Sequence, residues 1–368
     1  MRDNPWVWVV VGIIVLALIV GGIVLTRRSG DAMTSLTTRR RRPHRNDFRP
    51  EGTATVEPLK RAAVVVNPTK FTDLEDVRSR ITVVCLAEGF DEPIWLETTA
   101  ADPGTGQARR AVEDGAVLVC ALGGDGTVRA VAAGLVGTET PMGLLPGGTG
   151  NLLARNLDLP VDSITRALVV ALNGQNQRID VGRLHVDRSG HAAESGGLEE
   201  HLFLVMAGLG FDAQIMAGTG EALKSRVGSA AYLFSGLRLL AGKQFKVALK
   251  LDAEPTFTRR TRTVIIGNCG RLLGGLSLMP DARVDDGLLD VIVISPAGVI
   301  GWTAVAGTVL TRHRRGHALV DHRTGTEVGV RAEHAEEVQV DGDSIGPARG
   351  IAATVEHLAL VVRVAQKA

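Results

Sequence analysis

The chain has 368 residues, a formal net charge of +1 at pH 7 and 45% hydrophobic residues. This length and apolar content suffice for two domains with buried cores, and the near-zero charge gives no global field that would attract nucleic acid. Three cysteines (Cys85, Cys120 and Cys269) are too few for a disulfide framework and favour a reducing compartment. No cysteine and histidine cluster has metal-ligand spacing.

The N-terminus, residues 1–25, contains an uncharged apolar segment at 6–25. Its length matches the ~20 residues that cross a bilayer as a helix, and Trp6 and Trp8 lie at one end, as is typical of a membrane interface. The length of the segment and the arginines that follow it favour an uncleaved anchor over a signal peptide. Because the arginines lie mostly after the segment, the positive-inside rule places the rest of the chain in the cytoplasm. We therefore predict a single-pass protein of the cell membrane.

Residues 26–60 are rich in Arg, Thr and Pro and show almost no apolar periodicity, which predicts a basic, flexible linker. The run Arg39 to Arg42 has two interpretations. It rests on anionic lipid, at about 1 kcal/mol for each basic residue near the surface, or it is a solvated flank of the anchor.

Residues 61–168 alternate between strand and helix patterns, which predicts a doubly wound α/β domain. A central run at 116–122 is apolar on both faces, as a buried parallel strand requires. The other predicted strands are 62–66, 93–97 and 142–145, and the predicted helices are 74–85, 107–114, 128–135 and 152–157.

Residues 169–350 change to short apolar runs separated by turn residues, which predicts a mostly antiparallel, β-rich domain. The predicted strands are 178–186, 201–207, 245–251, 261–266 and 288–294, with a surface loop at 188–200 and a helical insertion at 220–240. The last segment, 351–368, contains an apolar run that we expect to pair back onto the first domain.

Two glycine-rich turns lie between a predicted strand and a predicted helix. The first is Gly123, Gly124, Asp125, Gly126 and Thr127, and the second includes Gly148, Thr149 and Asn151. Glycine lets the backbone approach a charged group closely, and N–H groups at a helix N-terminus suit phosphate. Two such turns in succession favour a nucleotide site over ordinary tight turns. Since a carboxylate is unexpected in an anion site, Asp125 indicates Mg²⁺ between it and the phosphates.

These turns, with Asn67-Pro68-Thr69 and a late Asp-Asp-Gly-Leu-Leu-Asp-Val segment at 285–291, resemble the diacylglycerol kinase catalytic family, which includes sphingosine and ceramide kinases. The resemblance covers nearly all of residues 61–364. The first glycine turn alone is less specific, because NAD kinases and 6-phosphofructokinases have close relatives of it. The resemblance implies an α/β nucleotide domain, a β-sandwich-like second domain and an active site in the cleft between them.

Matched by position, the resemblance implies that Asn67, Thr69 and Thr99 contact ATP along with the two glycine turns. The chain departs from the family at Lys70, where a small residue is usual, and at Arg129-Ala130, where Asn-Glu is frequent. Lys70 contacts a phosphate or points to solvent. The missing glutamate leaves recognition of the nucleoside open.

Two acidic turns in the second domain complete the implied site. Asp286, with the backbone carbonyls of Arg283 and Leu288, matches a Mg²⁺-binding turn of the family; from the residues alone, the segment is also a type I′ hairpin turn. Asp341 matches the family's general base, and Asp343 stands where a longer glutamate is usual. Without the resemblance, Asp341-Gly342 would be interpreted as another hairpin turn.

The predicted activity is ATP-dependent phosphorylation of a lipid hydroxyl, most simply diacylglycerol to phosphatidic acid, with ATP and Mg²⁺ as cofactors. The expected partners are the lipid substrate and the phospholipid bilayer, without nucleic acid; a homodimer is left open. Two alternatives are an NAD kinase-like phosphotransferase and a catalytically silent nucleotide sensor held at the membrane.

Overall fold

The computed structural model describes residues 60–190, 197–210, 244–271, 279–295 and 320–366. The apolar segment at 6–25, the linker up to residue 59 and the helical insertion at 220–240 lie outside these residues. Among the helices of the described ranges, none is long and apolar enough to cross a membrane.

The first domain is a parallel sheet with helices on both faces, as the alternating pattern predicted. Its strands are ordered β2, β1, β3, β4. In chain order the elements are β1 (Ala62–Val66), a 3₁₀ turn (Pro68–Lys70), α1 (Leu74–Ala87), β2 (Ile94–Glu97), α2 (Thr105–Glu113), β3 (Leu118–Gly123), α3 (Asp125–Leu135), β4 (Met142–Pro146), α4 (Leu152–Asn156) and α5 (Ile164–Asn173).

Burial on both faces of this sheet explains its continuous apolar runs. All five residues of β1 are buried, with Ala63 and Val65 in the core on one face and Ala62, Val64 and Val66 in the core on the other. Two of the helices, α1 and α5, start at polar caps: the Asp73 side chain accepts the N–H of Asp76, and Ser163 accepts that of Arg166.

The second domain consists of antiparallel strands around a separate apolar core. Along β8 the buried residues Phe245, Val247, Leu249 and Leu251 alternate with outward-facing ones, as a sheet with one buried face requires. The strands are β5 (Gln175–Asp187), β6 (Glu199–Phe203), β7 (Met206–Leu209), β8 (Phe245–Leu251), β9 (Phe257–Thr261), β10 (Thr263–Gly267), β11 (Leu289–Ile294), β12 (Val320–Gly325), β13 (Glu327–Val340) and β14 (Asp343–Val364).

The strand β14 belongs to both domains. It pairs with β13 and β5 in the second domain, and near its end Val362 pairs in parallel with Met142 of β4. A continuous path of hydrogen-bonded strands therefore runs from one domain into the other. The boundary predicted after residue 350 falls within this strand, and the boundary predicted after residue 168 falls within α5.

The sequence analysis was least accurate in the second domain. The predicted single strand at 261–266 is the end of β9 and the start of β10, which separate at Arg262. The predicted loop at 188–200 includes the start of β6. The strand β12, most of β13 and the first half of β14 were not predicted, apart from the hairpin turn at Asp341-Gly342.

Candidate active site

Three strands of the first domain bring the predicted nucleotide residues to one edge of the sheet, at the carboxyl ends of β1, β3 and β4. Asn67 follows β1, and its N–H donates to the carbonyl oxygen of Leu122 on β3 (3.0 Å). The N–H of Gly147, after β4, donates to the carbonyl of Gly123 (2.9 Å). Ligands of open α/β sheets bind at this edge.

The first glycine turn is a direct passage from strand to helix. β3 ends at Gly123 and α3 begins at Asp125, with Gly124 as the N-cap residue. The N–H groups in the first turn of any helix have no carbonyl partner within the helix. In α3 no capping side chain accepts them either. These groups are suited to an anion such as phosphate.

The two glycine turns are packed backbone against backbone. A β-carbon on Gly148 would lie 2.7 Å from the α-carbon of Gly124, and one on Gly147 would lie 2.9 Å from that of Gly123. Neither neighbour is a side chain that moves aside, so only glycine fits at these positions. Glycine is therefore required for the contact between the two turns.

Asp125 joins the two turns. Its Oδ1 accepts the N–H of Leu152 at the start of α4 (2.6 Å), while the side chain is surrounded by apolar residues that include Val128 and Leu153. Burial raises the pKa of Asp125 from 3.8 to about 6; the hydrogen bond from Leu152 opposes this shift, and the charge of Asp341 adds to it. The Mg²⁺ ion predicted between Asp125 and the phosphates stays a prediction; in the structure the carboxylate has a main-chain partner.

The remaining nucleotide candidates lie around these turns. Asn67 Oδ1 accepts the N–H and the hydroxyl of Thr69 (3.1 and 2.7 Å), which orders the segment that ends at the exposed Lys70. The Thr99 hydroxyl accepts the N–H of Asp102 (3.0 Å) in the turn after β2. Thr149 is exposed in the second glycine turn, and beside it the Asn151 side chain bonds back to the carbonyl of Gly148 (2.8 Å).

Asp341 lies in a two-residue hairpin turn between β13 and β14. Val340 pairs with Asp343, and Asp341 and Gly342 have φ values of +49° and +90°, as a type I′ turn requires. The interpretation of this segment as a hairpin was therefore correct. It is compatible with a chemical role, because the turn points the carboxylate inward, where only 4% of the residue is exposed.

The buried carboxylate of Asp341 accepts hydrogen bonds from three consecutive N–H groups of the β6–β7 connection. Val205 and Met206 donate to Oδ1 (2.8 and 3.0 Å), and Leu204 donates to Oδ2 (3.1 Å). Burial raises the pKa of Asp341, whereas Arg129 and these N–H groups lower it. Oδ2, with fewer donors, is the oxygen that retains capacity to accept a proton.

Arg129, on α3, connects this turn to the first glycine turn. Its Nη1 donates to the carbonyl of Val340 (2.9 Å) and lies 3.9 Å from Asp341 Oδ2, and its Nη2 donates to Asp343 Oδ2 (2.9 Å). A β-carbon on Gly126 would lie only 3.4 Å from the Asp343 carboxylate. Arg129 and Asp343, two of the positions at which the chain departs from the family pattern, are therefore in direct contact.

Asp180 is fully buried and accepts a hydrogen bond from the turn at 284–288. This residue was not among those predicted from the sequence. Its carboxylate accepts the N–H groups of Gly287 (2.6 Å) and Leu358 (2.7 Å), and His357 Nδ1 lies 2.8 Å away. An aspartate between Ile179 and Val181 in a strand is a weak sequence signal of such a role.

The prediction of a type I′ hairpin turn at Asp286 is wrong. The Asp286 turn belongs to the long connection between β10, which ends at Gly267, and β11, which begins at Leu289. Asp286 Oδ1 accepts the N–H of Leu288 (3.1 Å), and Arg283 is oriented toward Asp285.

Comparison with known proteins identifies the family. The family profile described as diacylglycerol kinase catalytic domain matches residues 61–184, and the profile of the YegS C-terminal NAD kinase β-sandwich-like domain matches residues 205–364. A Pseudomonas putida protein named "Probable lipid kinase YegS-like" is 33% identical over 249 residues, which cover 66% of this chain and 77% of that protein. The chain belongs to the diacylglycerol kinase catalytic family.

Other members of the diacylglycerol kinase family support this assignment. A diacylglycerol kinase of Staphylococcus saprophyticus is 28% identical over 301 residues, which cover 79% of this chain and 91% of that enzyme. A diacylglycerol kinase structure from Bacillus anthracis has the same fold, with a TM-score of 0.63 at 22% identity over 84% of this chain and 98% of that one. The chain is thus a kinase with an α/β nucleotide-binding domain and a β-sandwich-like second domain.

Kinases of this family use ATP, and the site fits its phosphates. The uncapped start of α3 supplies N–H donors, and the glycine turns leave no side chain between the backbone and a ligand. A cation at the second-domain turn would be held by Asp286 with main-chain carbonyls. Among the described residues, no group of three or more His, Cys, Asp or Glu side chains could hold a metal.

Proposed function

We propose that this kinase transfers the γ-phosphoryl group of ATP to the hydroxyl of a membrane lipid, with diacylglycerol as acceptor and phosphatidic acid as product. The observation that carries the proposal is the position of Asp341. Its buried carboxylate belongs to the second domain, yet it is joined through Arg129 to the helix that begins at the phosphate-binding turn. A base so placed lies next to the group to be transferred.

In the proposed reaction the N–H groups at the start of α3 hold the phosphates of ATP, with the second glycine turn packed beside them. The lipid hydroxyl oxygen attacks the γ-phosphorus while Asp341 Oδ2 accepts its proton, and the bond to the bridging oxygen breaks, releasing ADP. Mg²⁺, when bound, offsets charge on the phosphate oxygens. Positioning and charge neutralisation supply most of the rate in this class of reaction, and the base supplies about 10²–10⁴-fold.

The segment at 6–25 fits this proposal as an anchor with the catalytic domains on the cytoplasmic side. A tether would concentrate the enzyme with an insoluble substrate, and the run Arg39 to Arg42 lies where it would meet anionic lipid. Phosphorylation of soluble NAD has no need of such a tether.

The test uses the full chain in detergent micelles with labelled ATP and a panel of acceptors: diacylglycerol, sphingosine, ceramide and NAD. We expect labelled phosphatidic acid and a dependence on Mg²⁺. Transfer to NAD instead would overturn the proposal, and nucleotide binding without transfer to any acceptor would identify a sensor. Transfer to sphingosine or ceramide alone would support lipid kinase activity but show that diacylglycerol is not the acceptor.

The proposed Mg²⁺ site is tested separately by thermal unfolding. Binding to the folded state raises the midpoint with Mg²⁺ concentration, and we expect Asp286→Ala to abolish this increase. Asp285→Ala is the matched control, because Asp285 lies in the same turn but pairs with Arg283. An unchanged response in Asp286→Ala would place the cation elsewhere.

A further inference from the structure

Arg129 is the cation paired with the proposed base in the part of the chain that the structure describes, and it does not belong to the strands that carry the base. It lies on α3, two residues after the phosphate-binding turn, and its guanidinium is partly buried, with 21% of the side chain exposed. Three contacts tie it to the hairpin turn: the Val340 carbonyl, Asp341 Oδ2 and Asp343 Oδ2. A planar guanidinium presents its donors in a fixed fork and makes such contacts at once.

Among the described residues, the other titratable side chains near Asp341 are negative or neutral. Asp125 on α3 and Asp343 on β14 are carboxylates, and the neighbouring Cys269 is a buried thiol. Burial destabilises the charged form of Asp341. From the second domain, the negative charge is stabilised by three main-chain N–H groups. The guanidinium therefore stabilises the ionised carboxylate from the side of the nucleotide domain.

We infer that Arg129 is the positioning residue of the transfer reaction: it holds the Asp341 turn against the phosphate-binding helix, and Asp343 orients its guanidinium. This inference rests on the proposed function. Arg129 acts through Asp341, so its effect is on the orientation and charge of the base. The pair Arg129 and Asp343 thus links the two domains at the point where phosphate donor and acceptor meet.

The substitution Asp343→Asn should have opposite effects on activity with and without Arg129. In the wild-type chain the Asp343 carboxylate orients Arg129, so Asp343→Asn lowers kcat modestly. When Arg129 is replaced by alanine, the same carboxylate becomes an uncompensated negative charge beside Asp341 and the incoming phosphates, and like charges at close range repel. Asp343→Asn therefore lowers activity in one background and raises it in the other.

The experiment measures kcat and the KM for ATP in the micelle assay for Arg129→Ala, Asp343→Asn, the double variant and Arg129→Lys. We expect Arg129→Ala to lower kcat about 100-fold, as misplacement of a reacting group by about 1 Å does, with the KM for ATP changed less than about threefold. The double variant should be more active than Arg129→Ala, and Arg129→Lys should recover part of kcat, because lysine restores the charge without the fork.

A matched control separates this effect from general loss of an arginine. Arg78 lies on α1, has 26% of its side chain exposed and is paired with Glu97 of β2 at 2.5 Å. We expect Arg78→Ala to retain the kcat of the wild type. A kcat for Arg129→Ala within about threefold of the wild type, or a double variant less active than Arg129→Ala, would overturn the inference.

A second readout decides the inference even when the wild type transfers phosphate to no acceptor and the proposed function fails. Urea unfolding is measured for Arg129→Ala, Asp341→Asn and their double variant. We expect Arg129→Ala to raise the unfolding equilibrium constant at least about tenfold more in the wild-type background than in the Asp341→Asn background, because breaking a buried pair leaves a charge uncompensated. Equal effects in both backgrounds would show that Arg129 does not act through Asp341.

Discussion

Asp125 and Leu152 are joined by a hydrogen bond of 2.6 Å, so the first glycine turn holds the start of the helix that follows the second. The carboxylate belongs to the turn that we propose binds phosphate, and in the folded chain its partner is a main-chain N–H group. The two glycine turns therefore form a single cross-linked unit.

Asp125 should make the stability of the protein depend on pH. Its carboxyl has an ordinary pKa of 3.8, and burial raises this to about 6 in the folded state. Below about pH 4 the group is protonated in both states and has no effect; as the pH rises toward 6 the unfolded chain ionises first, so the free energy of unfolding falls. The loss, relative to Asp125→Asn, should reach up to about 3 kcal/mol by pH 7.

Urea unfolding of the wild type and Asp125→Asn between pH 4 and pH 7.5 measures this difference. Asparagine retains an oxygen that accepts the N–H of Leu152, so the comparison isolates ionisation from the hydrogen bond. A difference that stays constant across this pH range would contradict the prediction.

Gly148→Ala should separate the two glycine turns. The new β-carbon would lie 2.7 Å from the α-carbon of Gly124, so one backbone must shift. We expect nucleotide affinity, measured by calorimetry, to fall at least about tenfold, and stability to fall by about 1–3 kcal/mol. Gly329→Ala is the control, because its nearest neighbour is 3.8 Å away; a Gly148→Ala variant that binds ATP like the control would refute this account.

Asp341→Asn should lower turnover by about 10²–10⁴-fold, the usual contribution of a general base, while ATP binding changes little. Asn keeps one oxygen for the buried N–H donors, which alanine would leave unpaired. Asp252 supplies a matched control: it has a φ of +46° and accepts main-chain bonds from Thr326 and Glu327. Steady-state kinetics should show nearly full turnover for Asp252→Asn; comparable turnover in Asp341→Asn would remove Asp341 from the mechanism.

Asp180→Asn should loosen the Asp286 turn. In the asparagine variant, the side-chain NH₂ group replaces one carboxylate oxygen and cannot accept a hydrogen bond from a main-chain N–H. Each buried donor left without an acceptor lowers the free energy of unfolding by about 1–3 kcal/mol. Hydrogen exchange at residues 284–288 should accelerate relative to Asp290→Asn, which removes another buried aspartate paired with a histidine, His322, at 2.6 Å. Equal protection in the two variants would mean that Asp180 does not hold the turn.

The first domain could be predicted from the sequence because its signals are local. Runs of apolar residues mark β1, β3 and β4, with Asn67-Pro68 after the first and glycines at the ends of the other two, and burial on both faces makes those runs continuous. The glycine turns could be placed for the same reason, since each follows a strand directly.

The long strands β13 and β14 were partly missed because one of their faces is polar. In β13, the exposed Arg331 and Glu333 alternate with the buried Val330 and Ala332, and this pattern also fits a solvated loop. Contacts between distant residues were beyond reach altogether. Arg129 and Asp343 are 214 residues apart, and no periodicity indicates that they meet.

The strand β14 has a mechanical consequence. It begins at Asp343, beside the proposed base, and near its end pairs with β4, the strand that leads into the second glycine turn. Its register shifts between Glu356 and Leu360, where Leu358 has a φ of +51° and donates its N–H to Asp180. We expect any change in the distance between the proposed base and the proposed phosphate site to bend the strand at this irregularity.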